Sequence, residues 1–285
     1  MLDHKNHSGW HEFAAGAGAS FINLACTFPA HKAMLRQQVD SITLYRAVNQ
    51  LKQEGIFKLY RGFAPPLIQK CAGLSLMFGS YHAFEKMFSE NFPSYSSLTI
   101  KIAAALLAGS IEALLAPLER MQTLLSISEH KDYVYVRNTL HTFLKIKKHY
   151  NWKEYYRGFT PILLRNGPST AVFFVCRESI KQSFPTPHNS IENVVEDFLS
   201  GALLGACNST LFYPLNVVKV NMQKRLGEEY KSIVVTFQEI YRLRGGSIQN
   251  LYFGVHLNFS RALVSWGIIN VSYEYIMKVL SRTDK

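Results

Sequence analysis

Three prolines stand at matching places near the ends of three long apolar segments, and they constrain the fold more than any other feature of the sequence. A proline removes a backbone donor and clashes with the preceding helical turn, so we expect a kinked helix at each one. The prolines and their segments are Pro29 after Ala14 to Phe28, Pro117 after Ile102 to Ala116, and Pro214 after Phe198 to Tyr213. The sequence therefore predicts one structural unit used three times.

A second marker repeats in the same register. Tyr60-Arg61-Gly62, Tyr156-Arg157-Gly158 and Tyr252-Phe253-Gly254 each follow one of the prolines, and their glycines are 96 residues apart. Solenoid units repeat at roughly 20–50 residues, so the longer unit favours two long helices with connections. The prediction is one transmembrane domain of three similar parts, covering 1–96, 97–191 and 192–285.

Composition indicates a membrane protein with anionic partners. Hydrophobic residues make up 48% of the chain, yet the mean hydropathy is near zero, which favours membrane helices with polar groups on an inward face. The net charge of +11 indicates anionic partners, and the absence of a long basic run disfavours nucleic acid. Four isolated cysteines without metal-ligand spacing are expected to be reduced, buried thiols: Cys26, Cys71, Cys176 and Cys207.

Each part is predicted to contain two membrane-spanning helices with a short amphipathic surface helix between them. Spanning needs about 20 apolar residues; the predicted spans are Ala14 to Ala30, Gly62 to Tyr81, Ile102 to Leu118, Phe159 to Cys176, Phe198 to Val218 and Val255 to Tyr273. The apolar faces of the surface helices are Leu44, Val48 and Leu51; Val136, Leu140, Phe143 and Leu144; and Ile233, Phe237, Ile240 and Tyr241. The expected fold is therefore an all-α membrane protein of six transmembrane helices.

Together these features resemble the mitochondrial carrier family (solute carrier family 25) over the whole chain. The family motif P-x-[DE]-x-x-[KR]-x-[KR], followed by [DE]-G-x4-[YWF]-[KR]-G, occurs here in three partial copies. The resemblance implies a transporter of the mitochondrial inner membrane that works by alternating access, with both termini on the intermembrane-space side. It also implies a monomer with cardiolipin and other membrane lipid as partners.

The motif residues that close the matrix side in this family are largely replaced here. The resemblance implies that the acid of one repeat pairs with the base of the next. The corresponding pairs are Glu119 with Lys219, His31 with Gln122, and Asn216 with Met34. Only the first can form an ion pair while His31 is neutral, so we expect a weak matrix gate with a low barrier to opening. Gln38 and Gln223, nine residues after their prolines, match the glutamines that brace the gate in the family.

Longer runs resemble the animal NAD transporter subgroup of this family. They are Ala116 to Arg120 followed by Gln122 to Leu125, Tyr155 to Gly158, Leu164 to Gly167, and Ser265 to Asn270. The resemblance implies NAD as cargo, with no cofactor and no metal, and the chain contains no G-x-G-x-x-G fingerprint, Walker A loop or nucleophile elbow that would indicate an enzyme. Other anionic solutes stay open (a mononucleotide, coenzyme A or a carboxylate), and so does a carrier-like scaffold that does not transport.

Charged and polar side chains inside the predicted spans are the candidate solute contacts, because such groups are costly in a membrane and usually face a cavity. They are Gln69, Lys70, Glu112, Arg165, Asn166 and Arg261. The resemblance, registered on the repeated glycines, places Gln69, Arg165 with Asn166, and Arg261 at the family's substrate-contact points. Two arginine forks suit a pyrophosphate. The alternatives are snorkelling of the arginines to the headgroups and helix–helix contacts for Gln69, Asn166 and Glu112.

Overall fold

The computed structural model describes residues 9–127, 138–183, 190–224 and 226–283, and within these ranges the chain is helical and contains no β-strand. The first third contains α1 (Gly9–Asp40), α2 (Leu44–Glu54), α3 (Ile56–Leu59) and α4 (Ala64–Asn91). The second contains α5 (Ser97–Glu112), a 3-10 turn (Ala113–Leu115), α6 (Ala116–Ile127), α7 (Thr139–His149), a second 3-10 turn (Trp152–Tyr156) and α8 (Phe159–Ser183). The last contains α9 (Ser190–Leu211), α10 (Tyr213–Gln223), α11 (Ile233–Leu243), α12 (Ile248–Leu251) and α13 (Val255–Thr283).

Two of the three motif prolines coincide with an interruption of a long helix. The turn Ala113–Leu115 immediately precedes the helix that carries Pro117, and α9 ends before Pro214, which lies in the first turn of α10. A first turn tolerates proline because the missing N–H has no intrahelical acceptor there. Pro29 instead lies inside α1, which is continuous, so the kink expected at Pro29 stays a prediction.

The long helices contact one another in a closed order. Among the described residues, α1 packs along α13 and also contacts α4, α5 packs along α4 and α8, and α9 packs along α8 and α13. Small side chains let such helices approach closely. Ala104 and Ala108 are buried on α5, and a Cβ on Gly109 would lie 2.5 Å from the backbone oxygen of Asn166. This tight contact fixes the Asn166 turn of α8 against α5.

The three repeated glycines adopt left-handed backbone and pack against the following third of the chain. Gly62, Gly158 and Gly254 have φ of +86°, +81° and +91°, which glycine reaches without the steric cost of a Cβ. An added Cβ would lie 2.9 Å from Leu125 Cβ at Gly62, 3.0 Å from Gln223 Cγ at Gly158, and 3.2 Å from Gln37 Cβ at Gly254. Through these glycines the first third contacts the second, the second contacts the third, and the third contacts the first.

The short helices α2, α7 and α11 bury one face each and leave apolar side chains exposed. The buried residues are Ala47 and Leu51, Thr142 and Ile146, and Thr236 and Ile240. Leu140 and Leu144, on the predicted apolar face of the second, are 74% and 60% exposed, while Val136 of that face lies outside the described residues. The predicted apolar stripe of α7 therefore faces away from the protein interior.

Within the described residues, one helical stretch, Ser97–Ile127, is long and apolar enough to cross a membrane by length and composition alone. The mostly helical fold is confirmed for this part of the chain, and the layout of six spans stays a prediction. The expectation of buried thiols is wrong for Cys26, Cys71 and Cys207, which are exposed on the isolated chain. Their apolar segments expose part of their surface, so an apolar neighbourhood in the sequence does not imply burial.

Candidate functional site

One buried carboxylate, that of Glu119 on α6, joins three other predicted site residues. Lys219 on α10 donates from Nζ to Oε2 over 2.9 Å, and Arg165 on α8 donates to Oε1 over 3.0 Å. Gln69 on α4 donates from Nε2 to the same Oε1 over 2.8 Å. The Glu119 side chain is 8% exposed, and a carboxylate so far from water needs such donors to offset its desolvation. The sequence predicts the Lys219 pair, whereas the convergence of Gln69 and Arg165 on Glu119 was missed.

Arg165 is held by three side-chain oxygens. Its Nε donates to Asn166 Oδ1 over 2.9 Å, and its two terminal nitrogens donate to Asn216 Oδ1 over 3.1 Å and to Glu119 Oε1 over 3.0 Å. Hydrogen bonds to all three nitrogens fix the plane of the guanidinium. The Arg165 side chain is 22% exposed against 8% for Glu119, so Arg165 is the more accessible partner of this ion pair.

The two other predicted gate positions hold no ion pair among the described residues. Nε2 of His31 and the amide nitrogen of Gln122 lie 2.7 Å apart, so an imidazole–amide hydrogen bond occupies the first position. Met34 packs in an apolar cluster with Tyr213 and Val217. Asn216, predicted opposite Met34, accepts a hydrogen bond from Arg165 instead.

Three further predicted contact residues lie near this cluster without hydrogen-bonding to its members in the described part of the chain: Lys70, Glu112 and Arg261. The charges of Arg261, Lys219 and Lys70 act on His31, and those of Arg165 and Glu119 act on Glu112. Arg261 makes a long, 3.5 Å hydrogen bond to Asn258 Oδ1, and its buried Nε has no hydrogen-bond partner among the described residues. Among the described residues, the two cations in direct contact with the Glu119 carboxylate are therefore Arg165 and Lys219.

The two predicted brace glutamines are both fully buried and contact neighbouring elements in different ways. The Thr123 hydroxyl lies 3.0 Å from both Gln223 Oε1 and the Glu119 carbonyl oxygen, and Gln223 Nε2 donates to the Arg157 carbonyl over 3.3 Å. Gln38 instead offers its backbone carbonyl, which accepts from Asn221 over 3.1 Å and from Arg244 over 2.7 Å. Thr123 was not predicted as part of this site.

A second buried carboxylate, Glu154, joins the second and last thirds of the chain. Arg120 donates to its Oε1 over 2.8 Å, and Arg157 Nε donates to its Oε2 over 3.0 Å. From the loop before α11, the Tyr230 hydroxyl donates to Oε2 over 2.8 Å and the Gly227 N–H donates to Oε1 over 3.2 Å. Because Arg120 directly follows Glu119, this network lies next to the predicted gate.

The donors around Glu154 outweigh the effect of its burial on its pKa. Burial alone would raise the pKa of this carboxyl, but Arg120, the Tyr230 hydroxyl, Arg157 and the Gly227 N–H hold it below its ordinary value. Burial raises the pKa of the Tyr230 hydroxyl, and its bond to Glu154 raises it further. Sequence reasoning missed Glu154 because it occupies no motif position. The available signal was an acid three residues before Arg157.

The chain as a whole is similar in sequence to known mitochondrial carriers. The family model described as mitochondrial carrier protein matches residues 5–92, 94–188 and 191–284. The human mitochondrial nicotinamide adenine dinucleotide transporter SLC25A51 is 43% identical over 268 residues, which cover 94% of this chain and 89% of the relative. Human SLC25A52, with the same description, is 42% identical over the same shares of both chains. The mitochondrial coenzyme A transporter SLC25A42 of Xenopus laevis is 26% identical over 296 residues, covering 99% of this chain and 89% of the relative.

Proposed function

The chain belongs to the mitochondrial carrier protein family, and from that membership we propose that it moves NAD into the mitochondrial matrix by alternating access. Two relatives named as NAD transporters are 42–43% identical to it over 94% of its length. NAD is cargo in this proposal, so the function needs no bound cofactor, no metal and no catalytic residue.

The observation that carries the proposal is the hydrogen-bonded cluster of Glu119, Lys219, Arg165 and Gln69. It links a predicted solute-contact arginine directly to the predicted matrix gate. The pyrophosphate of NAD is an anion with oxygens that match the fork of a guanidinium. Arg165, with Arg261 as a second cation, is suited to bind it, and Lys70 adds to the positive field that attracts the solute.

The same cluster supports a mechanism for gate opening. A phosphate that binds Arg165 competes with Glu119 for the same guanidinium. Glu119 then keeps Lys219 and Gln69 as its donors, and the matrix side is held by fewer contacts. Because the His31 and Met34 positions hold no ion pair within the described ranges of the chain, loss of one contact at Glu119 weakens a large part of the predicted gate. A ligand shifts such an equilibrium by its differential affinity for the two states.

The membrane arrangement follows the family and belongs to the same proposal. Six transmembrane helices would come from three repeats at 1–96, 97–191 and 192–285, in the mitochondrial inner membrane, with both termini on the intermembrane-space side. Polar residues on inward faces, such as Lys70, Arg165 and Arg261, lower the hydropathy of spans that still face lipid on their other side. The closed order of helix contacts favours a monomer. Exposed Leu140 and Leu144 favour contact with membrane lipid, and the net positive charge favours cardiolipin.

Ligand-induced stabilisation of the purified protein in detergent tests the cargo. A solute that binds the folded state raises the melting temperature, and at equal concentration a solute that binds more tightly raises it more. We expect NAD to raise it at concentrations where nicotinamide mononucleotide, ATP and coenzyme A have little effect. Arg165→Gln and Arg261→Gln should each reduce the NAD shift, while Arg242→Gln, on surface helix α11, should not.

Coenzyme A is the second candidate cargo, because a named coenzyme A transporter is 26% identical over 99% of the chain. It also carries a pyrophosphate, so the arginines by themselves do not separate it from NAD. A larger shift with coenzyme A than with NAD would favour this alternative. A folded protein that shifts with no anionic solute would favour a carrier-like scaffold.

A further inference from the structure

We infer that Asn216 is a positioning residue for Arg165: its neutral amide orients the guanidinium and leaves the positive charge available to an anionic solute. Asn216 Oδ1 accepts from Arg165 over 3.1 Å across the contact between α10 and α8. This inference deepens the proposed function and rests on it for the identity of the solute. It assigns Asn216 a role other than membership of the matrix gate.

The charges around Arg165 show why a neutral residue at this position matters. The three acceptors of Arg165 are two amide oxygens and one carboxylate oxygen. That carboxylate, on Glu119, also accepts from Lys219, so one negative charge is shared by two cations. By formal charge these four residues alone (Arg165, Lys219, Glu119 and Asn216) sum to about +1 at neutral pH, and Glu112 is a further carboxyl that the charge of Arg165 reaches.

An acid at position 216 would cancel this surplus. Aspartate has nearly the same shape as asparagine, and its carboxylate would lie where Oδ1 of Asn216 already meets Arg165. The resulting charge-assisted bond would be stronger than the amide bond it replaces. A phosphate would then have to displace two carboxylates from Arg165, and the affinity for an anionic solute would fall.

The side chain of Arg165 is more open to a solute than the charged side chains of Glu119 and Lys219. It is 22% exposed, while Glu119 and Lys219 are 8% and 11% exposed. Asn166 binds Nε of the guanidinium and Asn216 binds one terminal nitrogen. The orientation of the guanidinium plane therefore does not depend on Glu119 alone. When a phosphate replaces Glu119, Asn166 and Asn216 can keep the guanidinium in place.

The first test uses ligand-free protein, so it doesn't depend on the identity of the solute. The melting temperatures of the parent, Asn216→Asp, Arg165→Gln and the double variant form a double-mutant cycle. With Arg165 present, the new carboxylate gains a cation. In the Arg165→Gln background that cation is absent, and the new carboxylate has only Lys219, three residues along α10, to offset its repulsion from Glu119. We compare the change in melting temperature that Asn216→Asp causes in the parent with the change it causes in Arg165→Gln. We expect the change in the parent to be more positive by roughly 3 °C or more. Equal changes in both backgrounds would overturn the inference.

The second test measures NAD uptake into liposomes and needs only the nearly isosteric Asn216→Asp variant, which covers the case in which Arg165→Gln does not fold. We expect KM for NAD to rise roughly tenfold with little change in kcat, because the substitution affects binding of the solute. The matched control is Asn49→Asp on the exposed face of α2, which adds the same charge and should leave KM unchanged. An unchanged KM in Asn216→Asp, or an equal rise in both variants, would overturn the inference. A parent that takes up no NAD would remove the proposed function, and the melting cycle would still decide whether Asn216 acts through Arg165.

Discussion

At the scale of single side chains, Glu119 joins three predicted site residues through one carboxylate. Its two oxygens accept from Lys219, Arg165 and Gln69, which belong to three different helices. A buried carboxylate bound by two cations is stabilised only while those cations remain, and the cations in turn depend on Glu119. The side chain therefore joins three helices through a single charge.

Replacing Glu119 by glutamine should destabilise the ligand-free protein strongly. Glu119→Gln keeps the size of the side chain but leaves Lys219 and Arg165 without their shared counter-charge, which typically costs about 3–5 kcal/mol for a buried pair. Thermal melting in detergent measures the loss. The control is Glu90→Gln, whose partner Lys86 is 3.9 Å away with both side chains well exposed, and which should melt like the parent. Equal melting of both variants would contradict a central role for Glu119.

The sequence predicts part of this cluster and misses the rest for a physical reason. Glu119 and Lys219 stand at motif positions, and the resemblance to the carrier family implies their pairing. The hydrogen bonds from Gln69 and Arg165 to Glu119 depend on how α4, α8 and α6 pack together. A local sequence pattern does not predict that packing. The same holds for Asn216, whose amide binds Arg165 although the motif places it opposite Met34.

Among the helices and connections, the turn that carries Glu154 links two repeats at the predicted matrix side. Glu154 accepts from Arg120 and Arg157 of its own repeat and from Tyr230 and Gly227 of the next. Arg157 also stacks over the Tyr230 ring at 4.4 Å and donates to the carbonyls of Glu228 and Glu229. This network lies beside the predicted gate, where two of the three positions hold no ion pair among the described residues, so it adds charged contacts between the repeats near that gate.

Removing the Glu154 charge should destabilise the protein far more than removing an exposed one. Glu154→Gln leaves two buried arginines without their carboxylate, which costs about 3–5 kcal/mol by the usual measure of a broken buried pair. Glu239→Gln is the matched control, since Glu239 pairs with Lys231 on the surface with both side chains almost half exposed; exposed pairs contribute about 0–1 kcal/mol. Chemical or thermal unfolding of both variants gives the comparison. A Glu154→Gln loss no larger than that of Glu239→Gln would rule out the network as a major contact between repeats.

The same carboxyl predicts how stability changes in acid. Its pKa in the folded protein is held below the ordinary value of 4.5, so below that pH the unfolded chain binds a proton that the folded chain resists. The contribution of Glu154 is complete above about 4.5 and is lost as the pH falls. Melting temperature measured between roughly pH 5 and pH 3 should fall more steeply in the parent than in Glu154→Gln. Parallel curves would show that Glu154 contributes no such linkage.

For the repeated glycines, the sequence predicts the shared backbone conformation but not the tertiary contacts. Their spacing in the sequence predicts a shared conformation, and all three have positive φ. Which neighbour each one meets depends on tertiary packing, and here each contacts the following repeat. The outward direction of the apolar stripe on α7 was also beyond the sequence, because helical periodicity gives a stripe without saying what covers it.

Gly62→Ala should therefore lower the stability of the folded protein more than the same replacement at a glycine without close neighbours. A methyl group there would lie 2.9 Å from Leu125 Cβ, which is fixed to the backbone, whereas at Gly245 the nearest atom would be 3.8 Å away. Both positions have similar φ, +86° and +78°, so Gly245→Ala reports the backbone strain alone, about 1–2 kcal/mol. Thermal melting should show the larger loss in Gly62→Ala. The reverse order would mean that the close approach between repeats is not tight.

Across the three repeats, the chain is symmetric in construction and asymmetric in chemistry. The glycines and the order of elements repeat. In the described part of the chain, the three predicted gate positions hold one acid–base pair, one imidazole–amide contact and one apolar packing position. The repeated construction follows from the sequence spacing. The asymmetry is visible in the motif residues, but the charge cluster that joins a predicted solute contact to the predicted gate appears only when the helices are packed together.

The most direct test of this account is uptake of labelled NAD into liposomes that contain the purified protein. We expect saturable uptake that unlabelled NAD blocks and that ATP, coenzyme A and nicotinamide mononucleotide block poorly. Uptake should be largely lost in Arg165→Gln and retained in Arg242→Gln. Absence of NAD uptake from protein that melts cooperatively, or uptake by Arg165→Gln at the parent rate, would contradict it.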